Sequence, residues 1–214
     1  MGIPVLVIGE SGSGKTAALR NFNPDEIGVF SVSSKPLPFR KQLPVMKPAT
    51  YETMYKAWER NKKNNLRKVY AIDDSQYLMT FAAFGRAKET GYGKFTDFAL
   101  DFYNLIQYVI NGLPDDVIVY FLHHLERTDQ GVIKAKTLGK MLDSQLTLEG
   151  LFSIVLYCQT DGKEHWFTTQ SDGYTTAKSP MDMFPVKIDN DLKAVDTAIR
   201  EYYNFNNTEE NSNA

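Results

Sequence analysis

The chain carries a single cysteine, Cys158, and three histidines in 214 residues. One thiol forbids an intramolecular disulfide, which suits a reducing compartment. Its neighbours in the run Leu151–Cys158 are apolar, so Cys158 reads as a small buried hydrophobe. The histidines and the cysteine lack paired-ligand spacing, which argues against a zinc centre. No apolar stretch approaches the ~20 residues of a membrane span. The opening Met1-Gly2-Ile3-Pro4 has no charged region of the secretory kind, so the expected location is cytoplasmic. Neither sign of charge dominates: 24 Lys and Arg face 26 Asp and Glu, for a net charge of −2. That excludes a uniformly basic nucleic-acid coat and leaves only local basic loops. With 43% hydrophobic and 23% charged residues the composition is globular. The length predicts one domain over 1–205, followed by a polar, disordered tail over 206–214.

What is present is more specific. Gly9-Glu10-Ser11-Gly12-Ser13-Gly14-Lys15-Thr16 matches the phosphate-loop pattern G-x-x-x-x-G-K-[ST] at every specified position. Pro4–Ile8 before it reads as a buried strand, and Ala17-Ala18-Leu19-Arg20 after it as the start of a helix. Glycines let the backbone wrap a polyphosphate with its N–H groups inward, at the positive end of a helix dipole. Lys15 would reach the β- and γ-phosphates, and the Thr16 hydroxyl would ligate Mg²⁺. The rival is a chance Gly/Ser-rich turn, which the flanking strand and helix disfavour. ATP and Mg²⁺ are therefore the expected ligands.

Further along, Ile27–Val32 reads as a strand, and Pro36, Pro38, Pro44 and Pro48 mark an irregular connection. Thr50 caps a helix striped by Tyr51, Met54, Tyr55 and Trp58. Val69–Asp73 is a third strand, and residues 85–95 form a Gly-rich, partly basic segment. A helix with Phe98, Phe102, Leu105, Ile106 and Val109 on one face follows. Val117–Leu122 is expected to be a strand ending at His123-His124, with a basic loop from Glu126 to Gln145. Phe152–Tyr157 and His165–Thr169 read as strands, and Leu192, Val195, Ile199 and Tyr202 stripe a last helix. This alternation predicts an α/β domain, a mostly parallel sheet covered by helices on both faces, with a late antiparallel hairpin. Ligands on such sheets lie outside the strand C-terminal ends, where Gly9, Asp73 and His123 all fall.

Asp73-Asp74, after four apolar residues, fits an acid that organises Mg²⁺ at a strand end. Asp73 would hold the metal through water, and Asp74 would orient or deprotonate the attacking water. The plainer alternative makes Asp73 a cap for a helix starting near Ser75. A polar side chain at His123-His124 can touch the γ-phosphate and report its loss, with His124 the leading sensor. A helix cap or a surface histidine pair is the alternative. Arg127, Lys134, Lys136 and Lys140 just beyond, and Arg86 and Lys94 in the earlier Gly-rich segment, suit phosphate-backbone contacts with DNA. They equally suit a solvated face.

Lys35-Pro36-Leu37-Pro38-Phe39, Ile72–Leu78, His124-Leu125-Glu126, Glu149–Phe152, Ala177-Lys178-Ser179-Pro180 and Asn190-Asp191-Leu192 occur in this order. The series resembles the small bacteriophage ATP-binding proteins of the AAA family, RecA-like cores related to short phage single-strand annealing recombinases. The resemblance spans about residues 3 to 205. It implies a RecA-type sheet with the His123-His124 strand between the phosphate-loop and Asp73 strands. It also implies action on single-stranded DNA in phage recombination, annealing or replication, and a homo-oligomer working with other phage replication or recombination proteins in the host cytoplasm. By position, segments 82–96 and 125–140 would correspond to the two DNA-facing loops. Lys178 would match the basic residue that reaches a neighbour's γ-phosphate, or else be an ordinary exposed lysine. Two departures stand out: Val32-Ser33-Ser34-Lys35 offers no catalytic Glu, and the segment by which RecA polymerises is missing. Slow hydrolysis is expected in consequence. A non-hydrolysing accessory factor or helicase loader is the main alternative; a nucleotide kinase fits less well, because no Arg-rich lid is apparent.

Overall fold

The computed structural model describes residues 1–91, 93–138 and 146–205; Lys140 and the tail 206–214 lie outside the described residues. Among the described residues nine strands follow in chain order as β1 (Ile3–Gly9), β2 (Ile27–Ser31), β3 (Val45–Met46), β4 (Val69–Asp73), β5 (Ile118–Arg127), β6 (Ile133–Ala135), β7 (Ile154–Thr160), β8 (His165–Thr168) and β9 (Lys187–Asp189). Four α-helices are described: α1 (Tyr51–Asn64), α2 (Tyr77–Gly85), α3 (Gly93–Gly112) and α4 (Leu192–Tyr202). The strands form one mixed sheet in the order β3-β2-β4-β5-β1-β7-β8-β9, with β6 attached to β5. Pairing is parallel from β3 to β7 and antiparallel from β7 to β9, so the late hairpin is present. Strand β5 lies between β1 and β4, the position expected of it.

Alternation along the central strands makes two cores. Leu6, Ile8, Ile72, Val119 and Phe121 face α1, α2 and α3, whose Trp58, Met79, Phe102 and Ile106 are fully buried. Val5, Val7, Ala71, Tyr120 and Leu122 face the other way, onto Leu19, Phe22 and the α4 residues Leu192, Val195 and Ile199. Both faces are thus covered, as a parallel sheet requires. Thr50 caps α1 through a reciprocal pair of bonds with Thr53, and Trp58 packs edge-on against Phe30 and Tyr70. Truncating Trp58 to Ala would cost about 3–5 kcal/mol. Among the described residues no helix is long and apolar enough to cross a membrane.

Four expectations need correction. The segment after the phosphate loop is a single 3-10 turn, Thr16–Leu19, rather than an α-helix. Pro24 lacks an N–H and disfavours helical backbone at Asn23, and Phe22 turns fully into the core, so the coil cannot extend. Strand β5 runs through His123-His124 to Arg127, because Leu125–Arg127 find antiparallel partners in Ile133–Ala135. The expected loop from Glu126 is therefore a hairpin with Lys134 inside a strand. The segment 82–96 is helical at both ends, since α2 ends at Gly85 and α3 begins at Gly93, with a turn over 86–88 between them. Tyr202 is 43% exposed and leaves the α4 stripe, which ends at Ile199.

Candidate functional site

The parallel register aligns the strand ends: Gly9 of β1 sits opposite His124 on one side and Cys158 on the other. The chain leaves β1 through Gly12 (φ 82°) and Gly14 (φ 104°), backbone conformations open to glycine. A cavity of about 330 Å³ opens there, lined by the loop from Ser11 to Ala17, Asp73, Asp74 and His124, together with Lys35, Pro36, Pro38 and His165. Lys15 is buried, and its ammonium donates to the carbonyls of Gly9 (2.7 Å) and Glu10 (2.8 Å). Burial lowers its pKa, an effect the nearby Asp74 and Asp73 oppose. The Thr16 hydroxyl donates to Asp73 Oδ1 at 2.6 Å across 57 residues of sequence. Burial raises the Asp73 pKa, with Asp74 adding to it, while the Thr16 bond and Lys15 pull it back. The carboxylate is thus short of positive charge, which a divalent cation would supply. Asp73 does not cap a helix: α2 starts two residues beyond Ser75, and Gln76 at its cap makes no side-chain capping bond.

Successive strand residues point to opposite faces, yet Asp73 and Asp74 line the same cavity. The left-handed backbone of Asp74, φ 59°, breaks the alternation. Its carboxylate accepts from Ser33 Oγ (2.5 Å), Lys35 Nζ (3.1 Å) and His124 Nε2 (3.2 Å). Burial alone would raise its pKa; the three donors overcome that and hold it far below the usual carboxylate range.

The two histidines obey the strand period and part company. His124 lies in the cavity beside Asp74 and against the Tyr77 ring. His123 is fully buried beside Phe102. Its Nε2–H must donate to the Lys136 carbonyl (2.8 Å), leaving Nδ1 to accept from Ser75 Oγ (2.9 Å). Burial lowers its pKa to about 4. It is a neutral joint between the end of β4 and the segment after β6, not a surface histidine.

Other predicted residues are held apart from the cavity. Arg127 reaches back to Glu10 of the phosphate loop (3.7 Å), and Lys134 pairs with Glu126 (3.1 Å). Arg86 binds Glu89 and Asp97, and Lys94 donates to the carbonyls of Arg86 and Glu89, so both stitch the turn from α2 to α3. Lys178 pairs through its backbone with Val155 of β7, three residues short of the level of Gly9. It does not line the cavity.

Ser33, Lys35 and His165 are site residues that the sequence alone does not single out. Lys35 stood in a motif with two prolines, which was the available signal; nothing local marks His165. Among the described residues no group of three or more His, Cys, Asp or Glu side chains gathers as a metal site. No protein-family model and no curated protein matches the chain.

Proposed function

We propose that the chain is a Mg²⁺-dependent ATP-binding protein with a RecA-like phosphate-loop core, a slow ATPase acting on single-stranded DNA in phage recombination, annealing or replication. The observation that carries the reading is the Thr16–Asp73 bond beside a buried Lys15. Three residues remote from a chance turn's requirements meet where a metal–phosphate complex needs an ammonium, a hydroxyl and a carboxylate. The placement of β5 between β1 and β4 is what the family resemblance implies, and it supports the RecA-like reading.

In this reading Gly12, Gly14 and the loop amides cradle phosphate, Lys15 leaves its carbonyl partners for phosphate oxygens, and Thr16 and Asp73 hold Mg²⁺. The metal supplies charge neutralisation along the phosphates when bound. Asp74 remains the candidate for water activation, but a carboxylate saturated by three donors is a weak base. Turnover then waits on the release of Ser33, Lys35 or His124 from it. That favours slow, gated hydrolysis, and it gives weight to the alternative of a non-hydrolysing accessory factor or helicase loader.

Coupling to DNA has a physical route. Arg127 at the end of β5 touches Glu10, and His123 ties Ser75 to Lys136, so the β5–β6 hairpin is bonded to both sides of the phosphate site. A shift of the loop on nucleotide binding would move it. The test is phosphate release by the full chain with Mg²⁺ and ATP, with and without single-stranded DNA. Slow release accelerated by DNA is expected. ATP binding without release in either condition would favour the accessory-factor reading. Charge reversal of Lys134, Lys136 and Lys140 should remove DNA retention at low salt and leave ATP binding intact. DNA retention unchanged by that triple reversal would remove the hairpin from the DNA reading.

A further inference from the structure

Strand β1 has two flanks, and the metal chemistry occupies only one. Thr16 and Asp73 meet on the β5–β4 side. On the other side β8 begins with His165, whose ring lines the same cavity. Its Nδ1 lies 2.8 Å from the Ser13 carbonyl, an atom that can only accept, so Nδ1 carries the proton. Nε2 has no hydrogen-bond partner among the described residues. The ring lies so close over the phosphate loop that a Cβ on Gly14 would stand 2.8 Å from Nδ1. The β7–β8 turn presents it rigidly: the Asp161 carboxylate takes the amides of Lys163 and Glu164, and Thr160 donates to the Glu164 carbonyl.

We propose that His165 is a nucleoside-contacting residue, with its pinned ring forming the wall against which sugar and base lie. The inference rests on the phosphate-loop reading above. A nucleoside triphosphate chelates metal at its terminal phosphates and carries its nucleoside at the other end. A ligand whose metal end lies at Thr16 and Asp73 therefore extends its nucleoside toward β7 and β8. There the cavity wall is the exposed His165 side chain, whose ring offers a face for stacking and Nε2 for one hydrogen bond.

The test compares MgATP with magnesium tripolyphosphate by calorimetric titration of the full chain. His165→Asn is the informative variant, because its amide N–H can still reach the Ser13 carbonyl while the distal ring is gone. The expected result is tripolyphosphate affinity within about twofold of the parent and ATP affinity weakened about tenfold. His165→Ala should show the same selective loss of ATP with a parental melting temperature, since the residue is exposed on the rim. Equal weakening of both ligands would make His165 a loop support only, and unchanged ATP affinity would remove it from the site; either overturns the inference. Parent protein that binds tripolyphosphate as tightly as ATP also overturns it, yet spares the phosphate-loop reading. Parent protein that binds neither overturns both.

Discussion

The two flanks of β1 solve different chemical problems with the same backbone. Toward β5 and β4 the strands are parallel, and their ends bring two carboxylates, two lysines and a histidine into one cavity. Toward β7 and β8 the sheet turns antiparallel, and the nearest groups to the loop are a histidine, a thiol and an amide: His165 and Cys158 both donate to the Ser13 carbonyl, and Asn190 donates to Cys158. Burial pushes that thiol up to about 11, so it stays protonated and serves as a packing donor. In the proposed reading the carboxylate-bearing flank takes the phosphate–metal complex, and the flank of His165, Cys158 and Asn190, where the Asn190 carbonyl holds the Arg20 guanidinium, takes the nucleoside.

The strongest way to break this contrast is at its centre. Lys15→Ala should weaken ATP binding by about a thousandfold or more, and the protein should still fold with a loss of about 1–3 kcal/mol, because the Gly9 and Glu10 carbonyls lose their ammonium donor. Unchanged affinity in a calorimetric titration would end the phosphate-loop assignment. Next, Asp73→Asn attacks the charged flank alone. Nucleotide should still bind, but Mg²⁺ dependence should vanish and turnover should fall about a hundredfold. The ligand-free variant should be no less stable than the parent, since a buried carboxylate short of positive charge has been neutralised. Parental turnover in this variant would reduce Asp73 to a packing residue.

Lys178 sharpens the contrast by lying on the β7 side yet below the cavity. The Gly9-to-Val155 offset of three residues amounts to about 10 Å along a strand, so its own cavity is a poor target. A neighbour's γ-phosphate is the alternative target in an oligomer. Lys178→Ala should then bind ATP normally and lose at least about tenfold in turnover. Mixing it with Lys15→Ala should restore part of the activity. Parental turnover at every protein concentration would make Lys178 an ordinary strand lysine.

The smallest effect concerns the joint beneath the charged flank. His123 has a pKa of about 4 in the fold against an ordinary 6.5, so the unfolded chain binds its proton first as pH falls. Stability from this group is complete above pH ~6.5, declines between ~6.5 and ~4, and is flat below. Near pH 5.5 the loss should be about 1.4 kcal/mol. Burial is the main cause; the bond to the Lys136 carbonyl opposes it, and the nearby His124 and Lys15 add to the lowering. Buried Asp73 and Asp196, with raised pKa values, slope the opposite way in this window. The measurement is therefore the difference between parent and His123→Gln in urea midpoint across pH. Parallel curves would show that His123 does not titrate as described.

The glycine-rich turn after β1, the β4 acids and the helix stripes were legible because each is set by neighbours in sequence. Thr50, Met54 and Trp58 form their helix on local periodicity, and Val69–Asp73 reads as a strand from its own apolar run. The fate of His123 and His124 was only half legible. Strand alternation demands that they diverge, but nothing local says that β5 continues past them; Ile133–Ala135, beyond a turn, supply the partners that keep it a strand. The helix expected after Thr16 failed for a reason written at Pro24, but the decisive pull is Phe22 entering a core built by α4 and β5.

The sequence by itself determined the alternating α/β pattern, the strand-ending carboxylates and a loop whose glycines and lysine suit phosphate, because backbone preference and short-range periodicity act within a few residues. Only the tertiary structure decided which distant groups meet. Thr16 finds Asp73, Ser33 and Lys35 converge on Asp74, and His165 closes over Gly14, because strand order and register bring chain segments 16, 33, 74, 124 and 165 to one edge of one sheet. Those contacts arise from long-range burial of two hydrophobic faces, a property of the whole chain that no single segment contains.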